Sequence, residues 1–172
     1  PFNGENIGEM VYMDILNRAR KYVHIMTPYL IIDNEMITAL TFAAKRGVDV
    51  KIITPGRPDK KTVFAVTRSY YRELIAGGVQ IYEYSPGFVH AKTFVSDGDT
   101  AVTGSINLDY RSLYLHFECA ALMYRTPAAA DIEADFQKTL AKCRRMTLED
   151  CRKDRLGRRL MGWLLRPLAP LM

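Results

Sequence analysis

Short β-branched runs alternate with stretches of helical spacing from residue 6 to about residue 145, and most junctions carry glycine or proline. That order constrains the fold more than any other feature, because strands and helices in alternation pack as a sheet covered by helices. Ile7, Met10, Val11, Ile15 and Leu16 recur every three to four residues and predict a helix over 6–20. A buried strand over 22–27 stops at Pro28. A second helix over 31–45 is opened by Asp33 or Asn34 and closed by Gly47. A strand over 48–54 ends at Pro55-Gly56, a helix over 62–76 stops at Gly77-Gly78, and a strand follows over 79–84. Residues 119–124 read as another strand. Pro127 starts a helix that should continue to about Arg145. The expectation is a layered α/β sandwich.

One stretch carries chemistry: Val89-His90-Ala91-Lys92-Thr93-Phe94-Val95-Ser96-Asp97, then Gly104-Ser105-Ile106-Asn107. Alternate side chains of an extended strand share a face, so His90 and Lys92 should point the same way. A second strand over 100–103, after the turn at Ser96-Asp97-Gly98-Asp99, carries the hydroxyl of Ser105 and the amide of Asn107 to the same end. A titratable imidazole beside a fixed cation suits attack on a phosphate. Pro28-Tyr29, Thr54-Pro55-Gly56 and Phe88 lie at strand ends, where open α/β sheets bind ligands. Asp97, in a turn with Gly98, reads as structural. His24, alternating with Val23 and Ile25, reads as a strand histidine, and His116 as a surface one. Asp109 and Arg111 read as an ion pair or cap behind the Asn107 turn.

His-x-Lys followed by Asp97 and by Gly-Ser-x-Asn resembles the signature of the phospholipase D superfamily. Arg68-Ser69-Tyr70-Tyr71, Gly87-Phe88-Val89-His90-Ala91-Lys92 and Gly104-Ser105-Ile106-Asn107-Leu108-Asp109-Tyr110-Arg111-Ser112 resemble the second half of bacterial cardiolipin synthases. The resemblance runs from about Phe2 to Lys142. It implies an α/β/α sandwich on a mixed central sheet and phosphodiester exchange without metal or other cofactor. It also implies a phosphohistidine intermediate and two such motifs per site. His90 is then nucleophile or general acid, the second-half position favouring the acid/base role. Lys92, Ser105 and Asn107 are implied to hold phosphate oxygens. Glu118, a carboxylate entering an apolar strand, is implied to orient the motif histidine. His116 departs from the asparagine expected there.

Composition divides the chain. Arg144 onward holds eight basic and three acidic residues, which accounts for the whole formal charge of +5 and leaves the body neutral. A nucleic-acid enzyme more often carries its charge on the body, so none is expected as substrate. Residues 1–146 read as a catalytic half-domain and 147–172 as a basic amphipathic tail, in which leucines and Trp163 interleave with arginines. The tail reads equally as an interfacial segment on anionic lipid or as a helix covering the sheet or a partner domain. Cys119, Cys143 and Cys151 are odd in number and lack metal-ligand spacing, which favours reduced thiols. The Pro1 start suggests a piece of a longer protein, and no run of apolar residues is long enough to span a bilayer. The resemblance places the whole at the cytoplasmic face of a bacterial membrane. It would condense two phosphatidylglycerol molecules to cardiolipin and glycerol, the other motif coming from an N-terminal half or a homodimer partner. The alternatives are a homodimeric phospholipase D-type nuclease or phosphodiesterase, and a non-catalytic lipid-binding module.

Overall fold

The computed structural model describes residues 4–171. Seven strands form one sheet. Its centre is parallel: β1 (Tyr22–Met26) pairs with β3 (Asp49–Pro55), and β3 with β4 (Gln80–Tyr84). Both flanks are antiparallel, with β5 (Thr93–Ser96), β6 (Thr100–Gly104) and β8 (Ala120–Tyr124) on one side and β9 (Cys143–Arg145) on the other. The mixed sheet matches expectation. A separate parallel pair joins β2 (Leu30–Ile31) to β7 (Leu108–Asp109).

The alternation along β1 assigns the layers. Val23 and Ile25 face the main core, built with α1 (Ile7–Arg18), α2 (Asn34–Lys45) and α3 (Lys61–Ala76). Met26 faces the other side, where Phe136 and Ala129 of α4 (Pro127–Leu140) cover the sheet. The Asp33 carboxylate caps α2 by accepting from the Met36 N–H at 2.8 Å, and Gly47 ends the helix region at a φ of +91°, open to glycine without strain. Past α4, α5 (Leu148–Lys153) and α6 (Leu156–Leu165) turn back along α3, followed by a 3-10 segment, Arg166–Leu171. Among the described residues no helix is long and apolar enough to cross a membrane.

Two expectations are corrected. The helix opened by Pro127 ends at Leu140, and Cys143–Arg145 is a strand instead, with Tyr84 opposite Cys143 and Glu83 opposite Arg144. The free edge of β4 supplies the pairing that these polar residues would not suggest alone. His90 to Lys92 lie ahead of β5, which begins only at Thr93, because Ser85-Pro86-Gly87 hold the chain in a bend until it meets Met26 opposite Thr93.

Asp97 occupies the far end of β5 from Lys92, five residues and roughly 16 Å away. Its carboxylate accepts the backbone N–H groups of Arg20 (2.8 Å), Lys21 (2.8 Å) and Tyr22 (3.0 Å), tying the start of β1 to the β5–β6 turn. Burial pushes its pKa up, but these backbone donors outweigh burial and hold it below the usual carboxylate value. Its φ is +55°, a conformation that alanine resists. Asp97→Ala should therefore lower stability by about 2 kcal/mol, or about 6 °C in Tm. Asp97→Gly should recover about 1 kcal/mol of that by accepting the backbone conformation. A lowered carboxylate pKa stabilises above its unfolded value and the contribution disappears as pH falls through the folded value. The wild-type advantage over Asp97→Ala should thus shrink in acid, measured by chemical denaturation across pH.

Candidate active site

The site grows from one end of the sheet. There β1 and β6 end, β5 begins, and β2 and β7 are stitched across by Thr27. The Thr27 hydroxyl donates to the Tyr29 carbonyl at 2.7 Å and accepts from the Leu108 N–H at 3.1 Å. Antiparallel pairing of Thr93 with Thr103 continues as a bond from the Gly104 N–H to the Lys92 carbonyl at 3.4 Å, so Lys92 lies against the Gly104-Ser105 corner. Tyr12 supports this corner from below. Its ring stacks on Phe94 at 3.9 Å and its hydroxyl donates to the Ile106 carbonyl at 3.1 Å.

His90 is exposed, its ring beside Phe88 at 5.8 Å, and Phe88 in turn beside Tyr29 at 6.4 Å. The Tyr29 hydroxyl donates to Asp59 at 2.6 Å, and burial with that carboxylate raises the phenol to about 12. These four residues make an aromatic and acidic rim on the imidazole side. Lys92 folds its ammonium onto the His90 carbonyl at 2.7 Å. Burial lowers its pKa, while the charges of Glu118 and Asp109 push it back up. Lys92 is thus a half-buried cation that feels the charge of two carboxylates, able to meet a phosphate oxygen once it leaves the carbonyl.

Ser105 and Glu118 come together as one unit. The Ser105 hydroxyl donates to Glu118, accepts from the Cys119 N–H at 2.9 Å, and its own N–H reaches the Cys119 carbonyl at 2.9 Å. The structure aims Glu118 at Ser105, not at His90, because pairing of β6 with β8 brings Cys119 beside Ser105. Asn107 donates to the Ser112 hydroxyl at 3.0 Å and leaves its Oδ1 buried without a partner. Asp109 accepts from the Ser112 N–H at 2.9 Å, a cap on the turn Arg111–Leu115, and burial raises its pKa. Arg111 does not pair with Asp109; it donates to His116 at 3.3 Å. Tyr12 carries no site signal in the sequence, Thr27 only the order Thr-Pro at a strand end, and Ser112 only its place at the end of the Gly104–Ser112 stretch.

The other histidines serve elsewhere. His24 is 3% exposed, stacked between Tyr22 and Phe136, with Nδ1 on the Glu133 carboxylate at 2.9 Å. It faces α4, across the sheet from the main core. A groove of about 1500 Å³ lies along α1, the Asp97–Asp99 turn and Tyr124, and none of His90, Lys92 or Asn107 lines it. His90 therefore stands on an open face. Among the described residues no three His, Cys, Asp or Glu side chains are grouped as metal ligands.

A family profile, "Cardiolipin synthase, PLD-like domain", matches residues 12–140. The chain belongs to this phospholipase D-like family. It is 56% identical over its whole length to an uncharacterized protein of Streptococcus mutans. It is 40% identical to cardiolipin synthase 2 of Bacillus anthracis over 94% of the chain. It spans 37% and 32% of those two relatives, about a third of their length. The fold is shared with phosphatidylserine synthase of Haemophilus influenzae, at a TM-score of 0.72 and 17% identity over 98% of this chain and 43% of that one. It is shared also with Nuc, a phospholipase D family member of Salmonella typhimurium, at 0.69 and 22% identity over 80% of this chain and 90% of that one.

Glu118 can be tested through Lys92. Glu118→Gln keeps an acceptor for the Ser105 hydroxyl but deletes a negative charge that holds the Lys92 proton. Lys92 should then deprotonate at lower pH, and the alkaline limb of the family's phosphodiester chemistry should move to lower pH in the intact enzyme. An unmoved limb would show that Glu118 does not act through Lys92.

Proposed function

We propose that this chain is the C-terminal half of a cardiolipin synthase active site, transferring a phosphatidyl group between two phosphatidylglycerol molecules with release of glycerol. The observation that carries the reading is the β5–β6 register, which sets the cation Lys92 against the Ser105 corner and leaves the His90 imidazole open to solvent. Displacement at phosphorus places the entering and leaving groups on opposite sides, so one imidazole cannot serve as both nucleophile and leaving-group acid. His24 is enclosed under α4 and His116 is engaged by Arg111, so the second imidazole comes from outside the chain. Relatives about three times as long have room for it in a preceding half.

In this mechanism the partner histidine attacks phosphorus, forming a P–N bond as the P–O bond to glycerol breaks. His90 delivers its proton to the departing glycerol oxygen. A hydroxyl of the second phosphatidylglycerol then gives its proton back to His90 and attacks, forming the new P–O bond as P–N breaks. Lys92, Ser105 and Asn107 hold the nonbridging oxygens, where negative charge persists throughout. The reaction takes place at the cytoplasmic face of the membrane and needs no metal.

The intact enzyme, given phosphatidylglycerol labelled in its headgroup, should release glycerol and form cardiolipin in equal amounts, unaffected by chelator. A phosphatidyl-protein adduct whose P–N linkage survives alkali but not acid should be trappable. Nicking of supercoiled plasmid in chelator without lipid turnover would replace this reading with a nuclease.

A further inference from the structure

Helix α6 has an inner face that the fold uses and an outer face that it does not. On the inner side a Cβ at Gly162 would lie 2.4 Å from the Ala65 carbonyl, so only glycine lets α6 lie this close to α3. Arg158 stacks over Phe64 and pairs with Asp154 at 2.9 Å, and Asp154 also holds Arg68 at 3.2 Å. Arg166 covers Tyr70 at 4.2 Å and pairs with Glu73 at 2.7 Å. The helix is thereby pinned at both ends. Facing outward, Leu156, Leu160, Trp163, Leu164 and Leu168 are 47–76% exposed, at spacings that form a single stripe along the helix and the segment after it. Arg152, Arg155 and Arg159 are exposed along the same stretch, and none has an ion-pair partner among the described residues.

We propose that this outer face of α6 rests on an anionic phospholipid surface. Trp163 and the leucines enter the headgroup–acyl boundary, and Arg152, Arg155 and Arg159 meet lipid phosphates. Charge selects this occupant. The whole net charge of +5 lies from Arg144 onward while the body is neutral, so the chain's positive field is concentrated beside the apolar stripe. A second copy would bring arginines against arginines. The helix also points the lipid toward the chemistry. It runs parallel to α3, with Arg158 at Phe64 and Arg166 at Glu73, so its first turn lies at the end of α3 that follows Asp59, the partner of Tyr29 on the His90 rim. The inference rests on the lipid-substrate reading for its purpose, though not for its test.

Trp163 is the only tryptophan, so it reports the contact directly. Mixed with vesicles of phosphatidylglycerol and phosphatidylcholine, the protein should show blue-shifted Trp163 emission, quenched by brominated acyl chains. Arg155→Gln with Arg159→Gln should weaken binding roughly tenfold, as should raised salt. Leu160→Ser with Leu164→Ser should remove the blue shift while moving the thermal midpoint little, since both residues are more than half exposed. His90→Ala should dock like the wild type, separating this surface from the chemistry. Unchanged Trp163 emission on anionic vesicles would overturn the proposal. So would a blue shift that grows with protein concentration without lipid, because it would give the face to a second copy.

Discussion

On the proposed reaction, His90→Ala should lower cardiolipin formation by about 10³-fold in the intact protein, within the range for loss of a positioned acid. The size of that loss does not separate proton donor from nucleophile, but the leaving group does. Glycerol departs as a strongly basic alkoxide and needs its proton in the transition state. An aryl phosphatidyl ester expels a stabilised phenolate that does not. If His90 is the acid, His90→Ala should cost only about tenfold with the aryl ester in forming the phosphatidyl adduct. The adduct should then accumulate, because the same residue is missing as base when the second alcohol attacks. A nucleophile variant would lose both substrates equally and form no adduct. Equal losses would therefore move His90 to the attacking role and leave its neighbours where they are. The exposed ring beside Phe88 is free to follow either task, since no hydrogen bond to its nitrogens constrains it among the described residues.

The parts of this fold legible in sequence are those where local chemistry and tertiary structure agree. Strands β1 and β3 carry β-branched residues and stop at Pro28 and Pro55, and the burial of most of their length on both faces follows from that composition, whereas β4 alternates buried and half-buried residues. Asp97 could be assigned to a turn from Gly98 alone, and its three backbone donors lie over seventy residues away, where no local pattern reaches. What stayed hidden depends on a neighbour's needs. Arg144 and Arg145 become a strand because β4 has an edge to satisfy. Glu118 turns to Ser105 because β8 pairs with β6 in one particular register. Gly162 weakens a helix in sequence, yet in the fold its missing Cβ lets α6 lie against the Ala65 carbonyl of α3. Of the candidate site residues, Lys92, Ser105, Glu118 and Asn107 share one end of the sheet, and Asp97 sits at the other.

Gly104→Ala should be the most damaging small substitution near the site that touches no reacting atom. A Cβ there would sit 2.3 Å from the Cys119 carbonyl oxygen and 2.5 Å from the Ala120 Cα, distances at which backbone must move. The strand start that moves carries the Cys119 carbonyl and N–H that hold Ser105, and the Glu118 carboxylate beside them. Overpacking of this kind costs about 2 kcal/mol, and a displacement near 1 Å of positioned groups costs about 10²-fold in turnover. Ser105→Ala provides the comparison, since it removes one hydroxyl and leaves both strands in place; it should lose less activity and little stability. A second change tests the cause. Ala120→Gly removes the side-chain contact at 2.6 Å but leaves the Cys119 carbonyl where it is. The double variant should therefore stay close to Gly104→Ala in both Tm and kcat. Recovery of most of the activity would mean that a side chain, not the β6–β8 backbone pairing, holds Ser105 and Glu118 against Lys92.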